Sequence, residues 1–250
     1  MNKFLYIFLL LCLFFCSCAK NITVPAEFDY REVSAGAYNL ACWQKISNEK
    51  SPVHIYIEGD GNAFNGYGYP TADPTPKGTF LREIAFNDPN DNVIYLARPG
   101  QFVKDQNKNQ TDWTTGRFSK KIVDSVSLAV NEMSKGKQVV LIGYSGGALL
   151  SGLIINENPN LNVVKWITIA GVLNHTKWTE KLNLPPLKDS LDLAYLPKVK
   201  QVHLAGEKDK IVPVELTKSI VPAQDLIIVP KATHNTGFDK YYSIIYSSDN

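Results

Sequence analysis

The sequence predicts an α/β fold in which helices cover both faces of a mostly parallel β-sheet. Two observations indicate this fold: apolar runs of strand length recur along the chain, and an amphipathic helical pattern separates two of them. Parallel strands require crossover connections, which place helices on both faces of the sheet. With 250 residues, of which 44% are hydrophobic and 20% charged, the chain suits one such domain. This composition excludes a disordered, collagen-like or multispan membrane protein.

The predicted strands are marked by alternating or continuous apolar residues. Two alternating segments that follow each other closely predict an opening hairpin, and the later, more uniformly apolar runs are typical of buried parallel strands. In chain order the predicted strands are Tyr30–Val33, Tyr38–Ile46, Val53–Glu58, Asn92–Ala97, Gln138–Tyr144, Val163–Ala170, Val199–Ala205 and Asp225–Val229.

One helix is predicted where Ile122, Val126, Val130 and Met133 recur at helical spacing, with Ser119 as its N-cap. Two longer segments have no regular pattern. They are Asn62–Gly78, rich in Gly, Pro and aromatic residues, and the polar segment Pro99–Arg117. Both follow the carboxyl end of a predicted strand, where open α/β sheets bind ligands.

A Gly-x-Ser-x-Gly motif stands at Gly143–Gly147, directly between a buried strand and an apolar helix that begins at Ala148. This strand–turn–helix setting is the one in which the motif presents a nucleophilic serine, here Ser145. The same turn leaves the backbone N–H of Gly146 at a helix amino terminus, where it can stabilise developing negative charge. A structural glycine-rich turn is the alternative interpretation.

A serine hydroxyl needs a base, and the chain offers four histidines. His54 and His203 fall within predicted strands, and His175 follows the sixth strand. His234 lies in the loop after the last strand, which makes it the candidate base.

The acid that orients the histidine is expected in the loop that follows the seventh strand and begins at Gly206. Asp209 lies deeper in this turn than Glu207, which remains the competing candidate. The loop after the sixth strand offers only Asn174, which carries no charge. The predicted catalytic set is therefore Ser145, Asp209 and His234.

The chain order serine, acid, histidine resembles that of the α/β-hydrolase family, from about residue 28 to the end. The nearest likeness is to bacterial envelope-associated serine hydrolases of poorly defined substrate. The segments that carry this likeness are Tyr56–Gly61, Tyr95–Pro99, Trp113–Ser119 and Gly143–Gly147. The resemblance implies the α/β-hydrolase fold and a hydrolase activity that needs no cofactor and no metal.

Many members of this family place His-Gly after the third strand and take a second oxyanion N–H from the residue that follows. Here Glu58-Gly59-Asp60-Gly61 stands in that place. The resemblance therefore implies the backbone N–H of Asp60 as the donor, with Gly61 as the alternative. Two carboxylates beside an oxyanion would oppose catalysis, so their side chains are expected to turn away, towards the Asn62–Gly78 loop or Arg98. An acidic turn with no role in catalysis is the other interpretation.

Candidate pocket residues come from three segments. The stretch Gly171–Lys198 is long enough for a small cap, and its apolar residues belong either to the core or to an acyl pocket; they are Trp178, Leu182, Leu184, Pro185, Pro186 and Leu187. Aromatic residues of the two long loops are expected to complete a cleft; they are Phe64, Tyr67, Tyr69 and Trp113.

The first residues are predicted to direct export. Lys3 precedes an apolar run of about a dozen residues, shorter than the roughly 20 that a bilayer-spanning helix requires. Phe15–Cys18 resembles a bacterial lipobox, so residues 1–17 are interpreted as a signal peptide, Cys18 as a lipidated (for example palmitate-bearing) cysteine and residues 18–27 as a tether to the domain at 28–250. A membrane-spanning anchor is the alternative. The residues after Cys18 favour the outer membrane.

The partners follow from charge and site. With 26 Lys and Arg against 24 Asp and Glu, the net charge of +2 gives no sign of nucleic-acid binding. The expected substrate is a small-molecule or lipid acyl compound, cleaved as a carboxylesterase, thioesterase or lipase would cleave it. The alternative is a lipid-anchored binding module that keeps the fold without turnover.

Overall fold

The computed structural model describes residues 23–104, 107 and 109–248. They contain an eight-stranded sheet, and each of its strands coincides with a predicted one, with ends that differ by at most two residues. The strands are β1 (Asp29–Ala35), β2 (Tyr38–Ile46), β3 (Val53–Ile57), β4 (Asn92–Leu96), β5 (Val139–Tyr144), β6 (Val163–Ile169), β7 (Lys200–Gly206) and β8 (Leu226–Val229).

The strand order is β1-β2-β4-β3-β5-β6-β7-β8. The predicted hairpin of β1 and β2 is antiparallel, β2 also pairs antiparallel with β4, and the remaining neighbours are parallel. Every residue of β3 and β4 is buried, which explains why the sequences of these strands are almost continuously apolar. The carboxyl ends of the parallel strands therefore share one edge of the sheet.

Six α-helices lie among the described residues. They are α1 (Phe80–Phe86), α2 (Lys120–Ser134), α3 (Gly146–Glu157), α4 (His175–Lys181), α5 (Val214–Lys218) and α6 (Tyr242–Ile245). The apolar faces of α2 and α3 pack on one side of the sheet, and α1 and α6 pack on the other. The predicted covering of both faces is confirmed.

The predicted helix with the apolar spacing is α2, and Ser119 occupies its N-cap position. The predicted N-cap residue is thus confirmed, although its side chain makes no capping hydrogen bond. Its carbonyl oxygen instead accepts the N–H groups of Ile122 and Val123. Four buried apolar residues per two turns hold this helix to the sheet, and this packing makes the cap dispensable.

The two long irregular segments are held by hydrogen bonds to each other. In the first, the side chain of Asn65 accepts the N–H groups of Tyr67 and Tyr69. In the second, Trp113 Nε1 donates to the carbonyl oxygen of Thr71 in the first, at 3.1 Å. Both segments follow carboxyl ends of strands, as predicted, so they border the same edge of the sheet.

The expected export segment, with Cys18, lies outside the described residues. Within the described part of the chain, no helix has the length and apolarity needed to cross a bilayer. Among the described residues, Cys42 is buried in β2, and burial raises the pKa of its thiol to about 11.

Candidate active site

Ser145 lies in the tight turn between β5 and α3, with φ 52° and ψ −121°. A positive φ is unfavourable for any residue with a Cβ, so the turn is strained. The flanking glycines make the turn possible because a Cβ on Gly143 would lie 2.5 Å from the Gly147 carbonyl oxygen, and one on Gly147 would lie 2.3 Å from the Ile57 carbonyl oxygen. The motif therefore reflects close packing of strand and helix around Ser145, the predicted nucleophile.

The structure brings the three predicted residues together. His234 Nε2 lies 3.0 Å from Ser145 Oγ, and His234 Nδ1 lies 2.8 Å from Asp209 Oδ2. The Asp209 side chain is fully buried, whereas 17% of the His234 side chain is exposed. Serine, imidazole and carboxylate thus form one continuous hydrogen-bonded chain from the cavity into the protein.

The two competing acids have different contacts. The second oxygen of Asp209 accepts the N–H groups of Ile211 and Val212, at 2.8 and 2.9 Å, which fixes the carboxylate in place. Glu207 instead accepts the N–H of Lys231, at 2.9 Å, within the loop that leads to the histidine. Asp209 is the residue that contacts His234, and Glu207 orders the loop.

The other histidines occupy structural positions. His203 in β7 is fully buried, with Thr168 and Gln201 at its ring nitrogens. His175 begins α4 and stacks on the ring of Phe118.

His54 in β3 lies between two partners in a second hydrogen-bonded set. Its Nδ1 is 2.9 Å from Asp88 Oδ2 and its Nε2 is 2.7 Å from Ser248 Oγ. The imidazole and the carboxylate are both fully buried.

Asp60 occupies the position implied for the second oxyanion donor. Two buried arginines form ion pairs with its carboxylate, one with each oxygen. Arg98 Nη1 and Arg117 Nη1 each lie 2.5 Å from one Asp60 oxygen. Burial would raise the pKa of this carboxyl, but the charges of Arg117 and Arg98 outweigh burial and hold the pKa below its ordinary value. The carboxylate adjoins Gly146, since a Cβ built there would lie 2.1 Å from Asp60 Oδ1.

Glu58, the other carboxyl of this turn, is buried among neutral donors. It accepts Tyr95 Oη–H at 2.6 Å and the N–H of Gly59 at 2.7 Å. Burial raises the pKa of Glu58. The Asp60 side chain points towards Arg98, which is one of the two expected directions, and it also pairs with Arg117. Arg117 was not expected at this turn, because no local pattern relates the two segments of sequence.

A cavity of about 500 Å³ opens beside Ser145 and His234. Of the four aromatic residues expected from the two long loops, only Phe64 lines the cavity, whereas Trp178, expected in the core or an acyl pocket, does line it. Tyr67 and Tyr69 are 89% and 69% exposed, and Trp113 is buried against the carbonyl of Thr71. The expected cleft is therefore wrong for these three residues, because the two loops bond to each other and turn these rings away from the cavity.

The aromatic wall comes instead from three other elements. The rings that line the cavity with Phe64 are Phe80, Tyr144 and Trp178. Trp178 is held by its Nε1–H, which donates to the carbonyl of Ile211 at 2.7 Å. In the rest of the segment 171–198, Leu187 joins the core, whereas Leu184, Pro185 and Pro186 are exposed. The described residues contain no group of histidine, cysteine and carboxylate side chains arranged to bind a metal ion.

In this sheet a strained serine after β5 contacts a histidine from a later loop, and that histidine contacts an aspartate from another; this is the arrangement of α/β serine hydrolases. A family model described as serine hydrolase (FSH1) matches residues 86–235, more than half of the chain. The chain belongs to this family. No curated protein sequence matched it.

Solved structures agree on the fold. Est1E from Butyrivibrio proteoclasticus is 12% identical with a TM-score of 0.63, over 87% of this chain and 96% of that one. An α/β serine hydrolase without a lid, from Xanthomonas campestris, is 13% identical with a TM-score of 0.54, over 90% and 94%. A membrane phospholipase A, described as a bacterial virulence factor, is 16% identical with a TM-score of 0.57, over 88% and 86%. These similarities establish the α/β-hydrolase fold.

Proposed function

We propose that this serine hydrolase cleaves an ester, thioester or related acyl bond through an acyl-enzyme on Ser145. The observation that carries the proposal is the chain of two hydrogen bonds from Ser145 through His234 to Asp209, at 3.0 and 2.8 Å. Its outer end borders a cavity large enough for a small acyl compound.

In the proposed reaction, Ser145 Oγ attacks the acyl carbon while His234 Nε2 takes its proton. Asp209 accepts the Nδ1–H of His234, which holds the ring in the required tautomer and stabilises its positive charge. The backbone N–H groups of Gly146 and Asp60 are assigned to the oxyanion. His234 then protonates the leaving group, and water, activated by the same histidine, releases the acid and restores Ser145.

The wall of the cavity supports an acyl substrate with apolar parts. Phe64, Phe80 and Trp178 supply aromatic surface next to the serine, and Val172 and Leu81 add aliphatic surface. The solved neighbour described as a membrane phospholipase A acts, by that name, on lipid acyl esters, which supports including lipids among the candidate substrates.

We further propose that the protein is exported and held at the bacterial envelope, at the outer membrane, by acyl chains on Cys18. The support is the sequence alone: a charged start, an apolar run too short to span a bilayer, and the lipobox-like Phe15–Cys18.

The function is tested with an active-site-directed fluorophosphonate and a series of p-nitrophenyl esters from acetate to palmitate. Wild type should be labelled at Ser145 and hydrolyse at least part of the series. Ser145→Ala should lose the label and at least 10³-fold of the turnover, because the nucleophile is absent. Equal labelling of both proteins contradicts the assignment. Wild type that is neither labelled nor active would instead favour a binding module on the hydrolase fold.

A further inference from the structure

The cavity contains an arginine that the proposed reaction does not use. Arg117 lines the cavity and is 95% buried, since only 5% of its side chain is exposed. Its Nε donates to the Thr114 carbonyl at 2.8 Å and its Nη1 to Asp60 at 2.5 Å. Among the described residues, Nη2 has no hydrogen-bond partner. Nη2 is not sealed from solvent, so its N–H groups are available to an acceptor in the cavity.

The hydrogen-bonded group that contains Arg117 has a net positive charge. Asp60 carries one negative charge, but Arg98 and Arg117 share it, so the three groups together are positive. Glu58, the other acid of the cavity wall, forms its hydrogen bonds with Tyr95 and a backbone N–H, and its charge acts on Arg98 without a direct bond. Lys77 adds a second cation to the cavity wall.

The guanidinium is also held in one orientation. It lies over the rings of Phe64 and Trp178, at 5.3 and 5.9 Å from its central carbon to the ring centres. The loop that carries it is fixed to the segment 171–198, because Thr115 Oγ1 donates to Asp189 at 2.9 Å and Ser190 Oγ donates to the Thr115 carbonyl at 2.7 Å. A planar, oriented guanidinium suits the recognition of carboxylate or phosphate oxygens.

We infer that Arg117 selects acyl substrates that carry an anionic group, a carboxylate or a phosphate, close to the scissile bond. This inference rests on the proposed function, since it names the substrate class of the same site. The aromatic rings accept the apolar part of the substrate, and Arg117 pairs with its anionic oxygens.

Two matched substrate pairs distinguish the sources of the anion. For an acid on the acyl side, mono-p-nitrophenyl glutarate is compared with p-nitrophenyl 5-methylhexanoate, in which an isopropyl group replaces the carboxylate. For an acid on the alcohol side, 1-butyryl-glycerol 3-phosphate is compared with 1-butyrylglycerol. Wild type should favour the anionic member of one pair by about tenfold to hundredfold in kcat/KM, the range of one or two charge-assisted hydrogen bonds.

The variants separate a direct contact from a general positive field. Arg117→Gln should abolish the preference, and Arg117→Lys, which keeps the charge and a partner for Asp60, should retain part of it. Lys77→Gln removes the same charge from an exposed position and should change the preference by about twofold at most in 0.15 M salt. Each preference is a ratio within one protein, so partial unfolding of a variant cancels.

The results have separate meanings for the two proposals. Equal hydrolysis of both members of each pair by wild type, or an unchanged preference in Arg117→Gln, overturns the inference and leaves the hydrolase proposal intact. Labelling of Ser145 by the fluorophosphonate without turnover of any of the four esters overturns the inference as well. Absence of labelling overturns the proposed function itself.

Discussion

Asp209 uses both of its carboxylate oxygens, one for His234 and one for two backbone N–H groups. An asparagine at this position would keep the oxygen that orders the loop and lose the charge that stabilises the imidazolium. Asparagine in place of Asp209 therefore separates the effect of the negative charge from the effect of ordering the loop.

We expect Asp209→Asn to lower kcat by about 10³- to 10⁴-fold, because the histidine loses its orienting charge and tautomer. Steady-state kinetics on the best p-nitrophenyl ester measures the effect, and circular dichroism checks that the fold is retained.

The matched control is Glu207→Gln. Glu207 lies two residues before Asp209 and accepts the N–H of Lys231. This variant should keep kcat within about tenfold, because a glutamine oxygen still accepts that N–H. Loss of activity in Glu207→Gln with retention in Asp209→Asn would transfer the role of the acid to Glu207.

Site residues that stand in a motif or directly after a strand were predictable from sequence. A residue that reaches the cavity only through packing between loops was not. Ser145 stands in a motif, and Asp209 and His234 follow strand ends, so their sequence context indicates their place. Arg117 reaches the cavity through contacts between segments distant in sequence, which leave no periodic pattern, whereas Trp178 was among the apolar residues expected in the core or an acyl pocket.

Among the elements, β7 carries a buried titratable group. His203 packs edge-on against Trp166, at 4.8 Å between ring centres, and Thr168 lies at its Nδ1. Burial lowers the pKa of His203 to about 4. The folded state therefore keeps this imidazole neutral at pH values where the unfolded chain, with a pKa near 6.5, is already protonated.

We expect the free energy of unfolding to decrease as the pH falls from about 6.5 to 4, by about 3 kcal/mol from His203 alone. The sign follows from proton binding, because the unfolded state takes up a proton in this window and the folded state does not. Urea unfolding at several pH values in this range measures the dependence.

In His203→Gln the free energy of unfolding should decrease less than in wild type between about pH 6.5 and 4, because the titrating imidazole is absent. Thr168→Val serves as control because it removes the Nδ1 partner but keeps the imidazole, so the pH dependence should remain. Parallel curves for wild type and His203→Gln would contradict the prediction.

The strands themselves were predictable because burial on both faces leaves a continuous apolar run, as in β3 and β4. Their exact ends were not, since hydrogen-bond pairing with a neighbour determines where a strand stops. β1 extends to Ala35 because Ala35 pairs with Tyr38 across the hairpin, which the sequence pattern alone does not specify.

At the scale of the whole molecule, the described sheet begins at Asp29, after the segment proposed for export. Residues 18–27 separate the proposed anchor from the first strand. Catalysis and anchoring are therefore expected to be independent properties of the chain.

We expect wild type produced in a bacterial host to sediment with membranes and to have the mass of a chain that begins at an acylated Cys18. Cys18→Ser should leave the protein without acyl chains and yet able to hydrolyse the same esters, as measured on separated membrane and soluble fractions. An unmodified Cys18 in a chain cut elsewhere would disprove the anchor.

The fold class and the covering of both sheet faces followed from sequence because alternating strands and helices permit few topologies. The shape of the cavity did not follow, since its walls depend on contacts such as Trp113 to Thr71 between loops far apart in sequence.

The second set, Asp88, His54 and Ser248, has a consequence for recognising enzymes by geometry. A search for hydrogen-bonded aspartate, histidine and serine would return this chain twice, with nearly equal distances. Only the set at Ser145 borders the cavity and has the strained backbone of a nucleophile. In this molecule access and strain, rather than the three side chains, distinguish the proposed catalytic set from the second set.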